Sequence, residues 1–224
     1  MRIQAKLICC LVLILSIFGC TKKTEPSTDN APATNAPAPA APAANTPAAS
    51  TENPAAEAAA KAAAAEWAMK QDEIKNDPNG EWAISATASS TYNDAKGMES
   101  YSANQATGAP NVAKYADDGM AWTSKTADGG IEWLDLKYPK PVHASEVRVR
   151  ESCGSGAVIK VEIFDEQGAA HVVWQGNDPT KELNYLMVNV PKTTYKTDRV
   201  KVTLATNVVE GWNEIDAVQL VGTE

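Results

Sequence analysis

Short runs of alternating apolar and polar residues follow one another over residues 81–224, with turn residues between them. Successive side chains of a strand point to opposite faces, so each alternating run predicts a strand with one buried face. Eight such runs without a convincing helix predict an all-β fold, an eight-stranded antiparallel β-sandwich. The predicted strands cover residues 83–89, 131–138, 144–151, 157–165, 170–175, 185–190, 199–206 and 214–221.

The order of these strands predicts which loops share one end of the sandwich. If consecutive strands run antiparallel, every second connection lies at the same end, and both ends of the domain lie at the other. We call this group of loops the crown. This prediction requires residues 120–124, "MAWTS", to be part of a long connection or a minor edge strand. The crown consists of residues 90–130, 152–156, 176–184 and 207–213.

Two segments of different composition precede the sandwich. Residues 20–53 are rich in proline and alanine, and after Cys20 they contain no aliphatic residue larger than alanine, so they predict a disordered tether. Residues 54–76 are rich in alanine and place Glu57 four residues before Lys61, which predicts a helix. The predicted organisation is therefore tether, Ala-rich helix and a β-sandwich over residues 81–224.

Residues 1–19 predict an export signal, because an apolar run too short to span a bilayer follows a basic start. Residues 17–20, "IFGC", resemble the bacterial lipobox. The resemblance implies cleavage before Cys20 and attachment of several acyl chains, such as palmitate, to that cysteine. Thr21 is not the aspartate that resembles an inner-membrane retention signal, so we predict an outer-membrane lipoprotein facing the periplasm or the cell surface. An ordinary cleaved signal peptide is the alternative.

The charge of the chain excludes one class of partner. The formal net charge is −8, and removal of residues 1–19 takes it to about −10. Nucleic acids and anionic headgroups are bound through basic patches, so we predict that neither is the main partner. Cys153 would be the one cysteine left besides Cys20, which argues against a disulfide scaffold.

Several segments of the sandwich resemble, in order, the discoidin-like domains related to the type C domains of coagulation factors and to galactose-binding modules. They are "ATASSTY", "SANQATGAPN", "AWTS", "EWLDLKYPKPVHASEVRVRE" and "GWNEIDAVQLVG". The resemblance implies a jelly roll that binds glycans, lipid headgroups or proteins without catalysis, and a structural calcium ion in many members. The flanking disulfide of some members is absent here.

The crown carries the candidate ligand-binding residues. Its long connection and its last loop combine aromatic rings with amide and carboxylate groups, which together supply the stacking area and hydrogen bonds that sugar recognition needs. Trp122 and Trp133 are assigned instead to core packing. The candidate ligand-binding residues are Tyr92, Tyr101, Asn104, Asn177, Trp212 and Asn213.

Glu214 and Asp216 pose a question, because strict alternation places them on the same face as Val218 and Leu220. A buried carboxylate without a partner is costly, so something must lie opposite. One answer is calcium held by Asp117, Asp118 and Glu214; the resemblance adds the backbone carbonyls of residues 105–107. The others are water at that end or an ion pair with Arg148, Arg150 or Arg199.

The sequence offers little support for catalysis. "SCGSGA" around Cys153 faintly resembles a cysteine nucleophile, but His143 and His171 are the only histidines and no zinc or Ser-His-Asp spacing appears. We therefore predict a lipid-anchored bacterial envelope protein that presents a non-catalytic, carbohydrate-binding-like sandwich to an envelope glycan. The alternative is a protein–protein interaction or adhesion module without sugar binding.

Overall fold

The structure is a computed structural model that describes residues 53–92 and 99–224. The predicted signal peptide, Cys20 and all of the predicted tether before Asn53 lie outside the described residues. These contain one α-helix, α1 (Pro54–Lys75), a 3-10 helix (Ala103–Ala106) and nine strands. The strands are β1 (Gly80–Trp82), β2 (Ser85–Ala88), β3 (Trp122–Thr123), β4 (Ile131–Cys153), β5 (Val158–Phe164), β6 (Ala170–Gln175), β7 (Asn184–Asn189), β8 (Thr197–Ala205) and β9 (Glu214–Thr223).

The predicted Ala-rich helix is confirmed as α1. The Asn53 side chain accepts a hydrogen bond from the Ala55 N–H at 3.1 Å, and Pro54 occupies the first turn, where no N–H is needed. The other end of α1 lies against the sandwich. Ile74 is buried, and its carbonyl accepts a hydrogen bond from Gln219 Nε2 at 3.0 Å. The helix is therefore joined to β9 at its C-terminal end.

The predicted all-β antiparallel sandwich is also confirmed. Every pairing among the described strands is antiparallel. One sheet has the order β1-β9-β4-β7, with β3 beside β9, and the other has the order β2-β4-β8-β5-β6. Strand β4 belongs to both sheets and makes them continuous.

The division of β4 into two strands around "YPKP" is wrong, because residues 131–153 form one strand. Its first half pairs with β2 and β8, and its second half pairs with β7 and β9. The register shifts between Lys137 and Val142, where Pro139 and Pro141 keep the chain extended but cannot donate to a neighbour. The prolines therefore produce a corner between the sheets rather than a reversal.

The loops of the crown meet at one end of the sandwich, as predicted. Asn213 Nδ2 donates to the Gly154 carbonyl at 2.7 Å, and Ser155 Oγ donates to the Glu182 carbonyl at 2.7 Å. Gly154 has a φ of +54°, and a Cβ at this position would lie 2.4 Å from the Trp212 carbonyl oxygen. Only glycine allows these two loops to approach so closely.

The core lies between the two sheets and contains the inward-facing apolar residues of both. Residues 120–124 contribute only the two-residue strand β3 at the edge of β9, so the predicted order of the loops holds. Trp122 is fully buried in the core, as predicted, whereas Trp133 is half-buried with Lys201 Nζ 4.5 Å from its ring centre. Fully buried core residues include Leu134, Leu136, Val147, Val149, Val161, Ile163, Val200, Val202, Leu204, Ile215, Val218 and Leu220.

Candidate functional site

A β-bulge at Asp216 answers the question posed by the two carboxylates of β9. Arg150 of β4 is opposite Ala217, and the next residue, Glu151, is opposite Ile215, so Asp216 is an extra residue in β9. The bulge changes the phase of the alternation, and Ile215 joins Val218 and Leu220 in the core. The expectation that Glu214 and Asp216 share the face of Val218 and Leu220 is therefore wrong.

Asp216 is buried and is held by backbone groups of the long connection. Its Oδ1 accepts hydrogen bonds from the N–H groups of Asn111 and Val112 at 3.2 and 3.3 Å. Arg150 Nε lies 3.4 Å from Oδ2, close enough for an ion pair but without a hydrogen bond. Burial raises the pKa of Asp216, and these N–H groups and Arg150 act against that rise. The ion pair with Arg150, one of the alternatives predicted from the sequence, is therefore present at Asp216.

Glu214 is buried in a different environment, with acidic neighbours and no arginine partner among the described residues. Its Oε2 accepts hydrogen bonds from the Asp118 N–H at 3.2 Å and from Ser152 Oγ at 3.5 Å, whereas Oε1 has no partner. Burial is the main reason that the pKa of Glu214 rises to about 8, and nearby Asp117 adds to the rise. A buried carboxyl group without a countercharge is a candidate ligand-binding group.

Three aromatic rings surround a small cavity beside Glu214. The centre of the Tyr92 ring lies 5.3 Å from that of Tyr101 and 5.4 Å from that of Trp212, at interplanar angles of 76° and 83°. The cavity has a volume of about 70 Å³, and Asp117, Thr123 and Glu214 complete its lining. We call this site the crown cavity. It unites predicted residues from opposite ends of the crown sequence.

Tyr101 links the aromatic and acidic sides of the crown cavity. Its hydroxyl donates a hydrogen bond to Asp117 Oδ1 at 2.7 Å, and this bond is the main reason that the pKa of Tyr101 is raised. Its φ of +60° is unusual for a residue with a bulky side chain. Backbone bonds on both sides hold Tyr101 in place: its N–H donates to Gly119 and its carbonyl accepts from Thr123. Such strain often marks a functional site.

Three predicted ligand-binding residues do not line the crown cavity. Asn104 lies in the 3-10 helix, where its carbonyl accepts from the Thr107 N–H and hydroxyl. Asn177 is exposed in a different loop of the crown. Asn213 is 2% exposed, and its amide holds the Gly154 loop. These three residues lie at the predicted end of the sandwich but outside the crown cavity, and their part in ligand binding stays a prediction.

The predicted calcium ligands do not converge as a set. Asp117 and Glu214 line the same cavity, but Asp118 Oδ1 accepts a hydrogen bond from the Met120 N–H at 3.0 Å. No group of three or more His, Cys, Asp or Glu side chains that could hold a metal ion is present within residues 53–92 and 99–224. These residues do not fit the three-carboxylate site, and calcium itself stays a prediction.

A second buried carboxyl group, Glu151, was missed by the sequence prediction. It is 1% exposed, and its Oε2 accepts a hydrogen bond from the Gly156 N–H at 2.8 Å. The pKa of Glu151 is raised to about 9, mainly by burial and also by Asp178 on the neighbouring loop. Glu151 is two residues after Val149 and four after Val147, both core residues, so all three share one face of β4. This alternation is the sequence signal that could have predicted the burial of Glu151.

Neither histidine is a hydrogen-bond partner of Cys153 among the described residues. Burial is the main reason that the pKa of the Cys153 thiol is raised, which disfavours the reactive thiolate. His143 is ten residues away along β4, roughly 30 Å in an extended strand. His171 bonds Asp165 at 2.8 Å and stacks on Tyr195. This arrangement provides no nucleophile–base pair at Cys153, and the absence of catalysis stays a prediction.

The fold and the crown cavity define an all-β module whose candidate ligand groups lie on loops at one end. Residues 74–224, about two thirds of the chain, match the family model described as "Pappalysin-1, SD scarf domain, C-terminal". The chain belongs to this family. The match begins at Ile74, the residue through which α1 contacts the sandwich. No curated protein matches the chain.

Several solved structures resemble the sandwich. Chitosan-binding module 1 from a chitosanase/glucanase of Paenibacillus sp. IK-5 has 12% identity and a TM-score of 0.47, covering 62% of this chain and 94% of that one. CBM32 of AlyQ, in complex with 4,5-unsaturated mannuronic acid, has 12% identity and a TM-score of 0.45, covering 62% and 96%. The lectin domain of Lectinolysin, complexed with Lewis B antigen, has 15% identity and a TM-score of 0.46, covering 62% of this chain and 93% of that one. Likenesses at these values assign no ligand to this chain.

None of the helices in the described part of the chain has the length and apolar character needed to cross a membrane.

We predict that Glu151→Gln removes part of the pH dependence of stability. The folded state holds the Glu151 proton more tightly than the unfolded chain, so the contribution is fully present below pH 4.5 and is lost as pH rises toward about 9. Between about pH 5 and pH 7, the free energy of unfolding of the wild type should fall by on the order of 2 kcal/mol because of this group. Chemical denaturation at several pH values gives the slope of the free energy of unfolding against pH. Glu151→Gln should make this slope less steep.

Glu210→Gln is the matched control for this measurement, because Glu210 is an exposed carboxyl group of the crown. It should leave the slope unchanged. Equal slopes for wild type and Glu151→Gln would show that Glu151 does not hold its proton in the folded protein.

A melting experiment decides the calcium prediction. From the arrangement of the described carboxyl groups, we expect excess calcium or a chelator to change the Tm of the full chain by less than about 1 °C. If calcium binds the folded chain, a free calcium concentration of 100 times the Kd would add about 2.7 kcal/mol to the free energy of unfolding and raise the Tm by several degrees. If such a rise occurs and Glu214→Gln removes it, calcium binds at Glu214.

Proposed function

We propose that residues 80–224 form a non-catalytic glycan-binding module that a lipid on Cys20 holds at the bacterial outer membrane. The observation that carries the binding proposal is the crown cavity, where aromatic rings and carboxyl groups line one opening. Sugar rings stack their C–H faces on aromatic side chains, and their hydroxyl groups bond to carboxylates. The crown cavity offers both kinds of group within one small area.

The exposure of the aromatic rings supports this proposal. Tyr92 and Trp212 are 43% and 39% exposed, although large aromatic side chains are usually mostly buried. They are also fixed in place: the Trp212 indole donates to the Ser124 carbonyl at 3.2 Å, and the Tyr92 N–H donates to Thr123 at 3.2 Å. Fixed, exposed rings bind a ligand with little loss of side-chain entropy.

The direction of the module supports presentation away from a membrane. Glu214 begins β9 at the crown, and α1 joins the sandwich near the other end of β9, where Asn79 and Gly222 are hydrogen-bonded. If the chain is attached to a membrane through the segment before α1, the crown cavity lies at the end of the sandwich opposite the point where α1 joins it. The residues "IFGC" at positions 17–20 support lipid attachment, and Thr21 supports the outer membrane. The cavity could face the periplasm or the cell surface.

One observation favours a protein partner as the second candidate. Trp67 and Met69 on α1 are 39% and 66% exposed, and apolar helix side chains of this size suit a protein contact. In this case the module would be an adhesion or interaction domain that binds through α1. The two functions use different tryptophans and can be separated by substitution.

Binding of the detergent-purified full chain to an array of peptidoglycan and lipopolysaccharide oligosaccharides tests the glycan function. We predict saturable binding that Trp212→Ala weakens at least tenfold, about 1.4 kcal/mol, because the stacking surface is lost. Trp67→Ala is the matched control, since Trp67 has the same exposure, and it should bind like the wild type. No sugar signal, together with a protein that co-purifies with wild type but not with Trp67→Ala, would support the second candidate instead.

Cys20→Ala tests the lipid anchor. We predict loss of metabolic labelling with palmitate and loss of the protein from the outer-membrane fraction, because acyl chains on Cys20 are the proposed anchor. Cys153→Ser is the control and should remain labelled. Outer-membrane fractionation of Cys20→Ala at the wild-type level would contradict the anchor.

A further inference from the structure

We infer that the crown cavity binds a protonated amino group, so that the preferred glycan contains an amino sugar with a free amine. This inference rests on the proposed glycan function and specifies which sugar satisfies it. Four properties of the crown cavity lead to it: its size, its aromatic walls, its shortage of donors and its buried carboxyl group.

The crown cavity is too small for a sugar ring. Its volume of about 70 Å³ compares with 300–1,000 Å³ for typical small-molecule pockets and with roughly 30 Å³ for one water molecule. A single substituent, such as an ammonium group, fits this space. The pyranose ring that carries the substituent would remain outside, against the exposed parts of Tyr92 and Trp212.

The walls suit a cation. Tyr92 is nearly perpendicular to both Tyr101 and Trp212 in edge-to-face contacts, and all three rings line the cavity. Cations bind to the faces of aromatic rings, and several rings around one ammonium group form an aromatic cage. The aromatic rings of these walls therefore attract positive charge.

The crown cavity has few free side-chain donors, because of the three hydroxyl groups in its lining, Tyr101 and Thr123 already donate within the protein and Tyr92 is left. The Tyr101 hydroxyl already donates to Asp117, and the Thr123 hydroxyl donates to the Asn213 carbonyl at 2.9 Å. The Trp212 indole donates to Ser124, outside the cavity. An ammonium group has three donors and no acceptor, whereas the carbonyl of an N-acetyl group needs a donor. The shortage of donors therefore favours the free amine.

Glu214 supplies the unpartnered acceptor. It is 1% exposed and lines the cavity, and its Oε1 has no hydrogen-bond partner among the described residues. Asp117 adds a second carboxyl group, and none of the described residues that line the cavity is basic. An ammonium group would satisfy Glu214 Oε1 and separate the two acidic side chains. It also fits these residues better than calcium, because aromatic walls offer none of the six to eight oxygens that calcium needs.

Calorimetry on the detergent-purified full chain tests the inference with tetrasaccharides of glucosamine, N-acetylglucosamine and glucose. We expect the glucosamine tetramer to bind at least tenfold more tightly than the other two. Asp117→Asn should reduce this preference to less than threefold, because the new side-chain amide can still accept from Tyr101 but carries no charge. Asp128→Asn makes the same change in charge in the crown, outside the cavity, and should keep the full preference.

The other outcomes separate the inference from the function on which it rests. If N-acetylglucosamine binds as tightly as glucosamine and Trp212→Ala abolishes both, the glycan function stands and the amine inference is wrong. If no tetrasaccharide and no sugar of the array binds, the glycan function is itself wrong. A tetralysine peptide that binds as tightly as the glucosamine tetramer, or equal losses in Asp117→Asn and Asp128→Asn, would show nonspecific charge attraction and overturn the amine inference.

Discussion

The extra residue in β9 is the constraint on which the crown depends. With regular alternation, Glu214 would face the core beside Val218 and Leu220, where a carboxyl group has no hydrogen-bond partner. The bulge at Asp216 sends Ile215 to the core instead and leaves Glu214 and Asp216 beneath the connection from β2 to β4. That connection carries Tyr101 and Asp117. The bulge therefore brings the carboxyl groups of β9 against the connection that carries other residues of the cavity lining.

Three carboxyl groups are buried in this part of the molecule, and each has a different local environment. Asp216 receives two N–H groups and a nearby arginine, so its charge has partners. Glu151 receives one N–H and an acidic neighbour, which favours its protonated form. Glu214 has one free oxygen at a cavity. Of the three, Glu214 alone combines burial with a position in the lining of the crown cavity, which makes it the candidate ligand group.

The sequence predicted the strands well because one face of most strands is buried. Strand β6 lies at residues 170–175, as predicted, and the order of the loops correctly placed Tyr92, Tyr101 and Trp212 at one end. The errors arise where alternation fails. A bulge has no marker in one sequence, so the faces of β9 were assigned wrongly, and the prolines of β4 were interpreted as a turn. Asn213 was named for its chemistry, yet its side-chain amide holds the backbone of Gly154. Contacts of that kind depend on the folded loops and have no sequence pattern.

The attachment of α1 determines how the module would respond to mechanical load. Gln219 of β9 bonds the Ile74 carbonyl, and Arg148 of β4 forms an ion pair with Asp77 at 2.8 Å, so the helix is joined to two central strands of one sheet. A pulling force between a ligand at the crown and an anchor before α1 would act along β9 and β4. Their hydrogen bonds would then be loaded in shear, many at once, instead of being opened one by one from an edge. Detachment under flow would depend on the rate of forced unfolding as much as on equilibrium affinity.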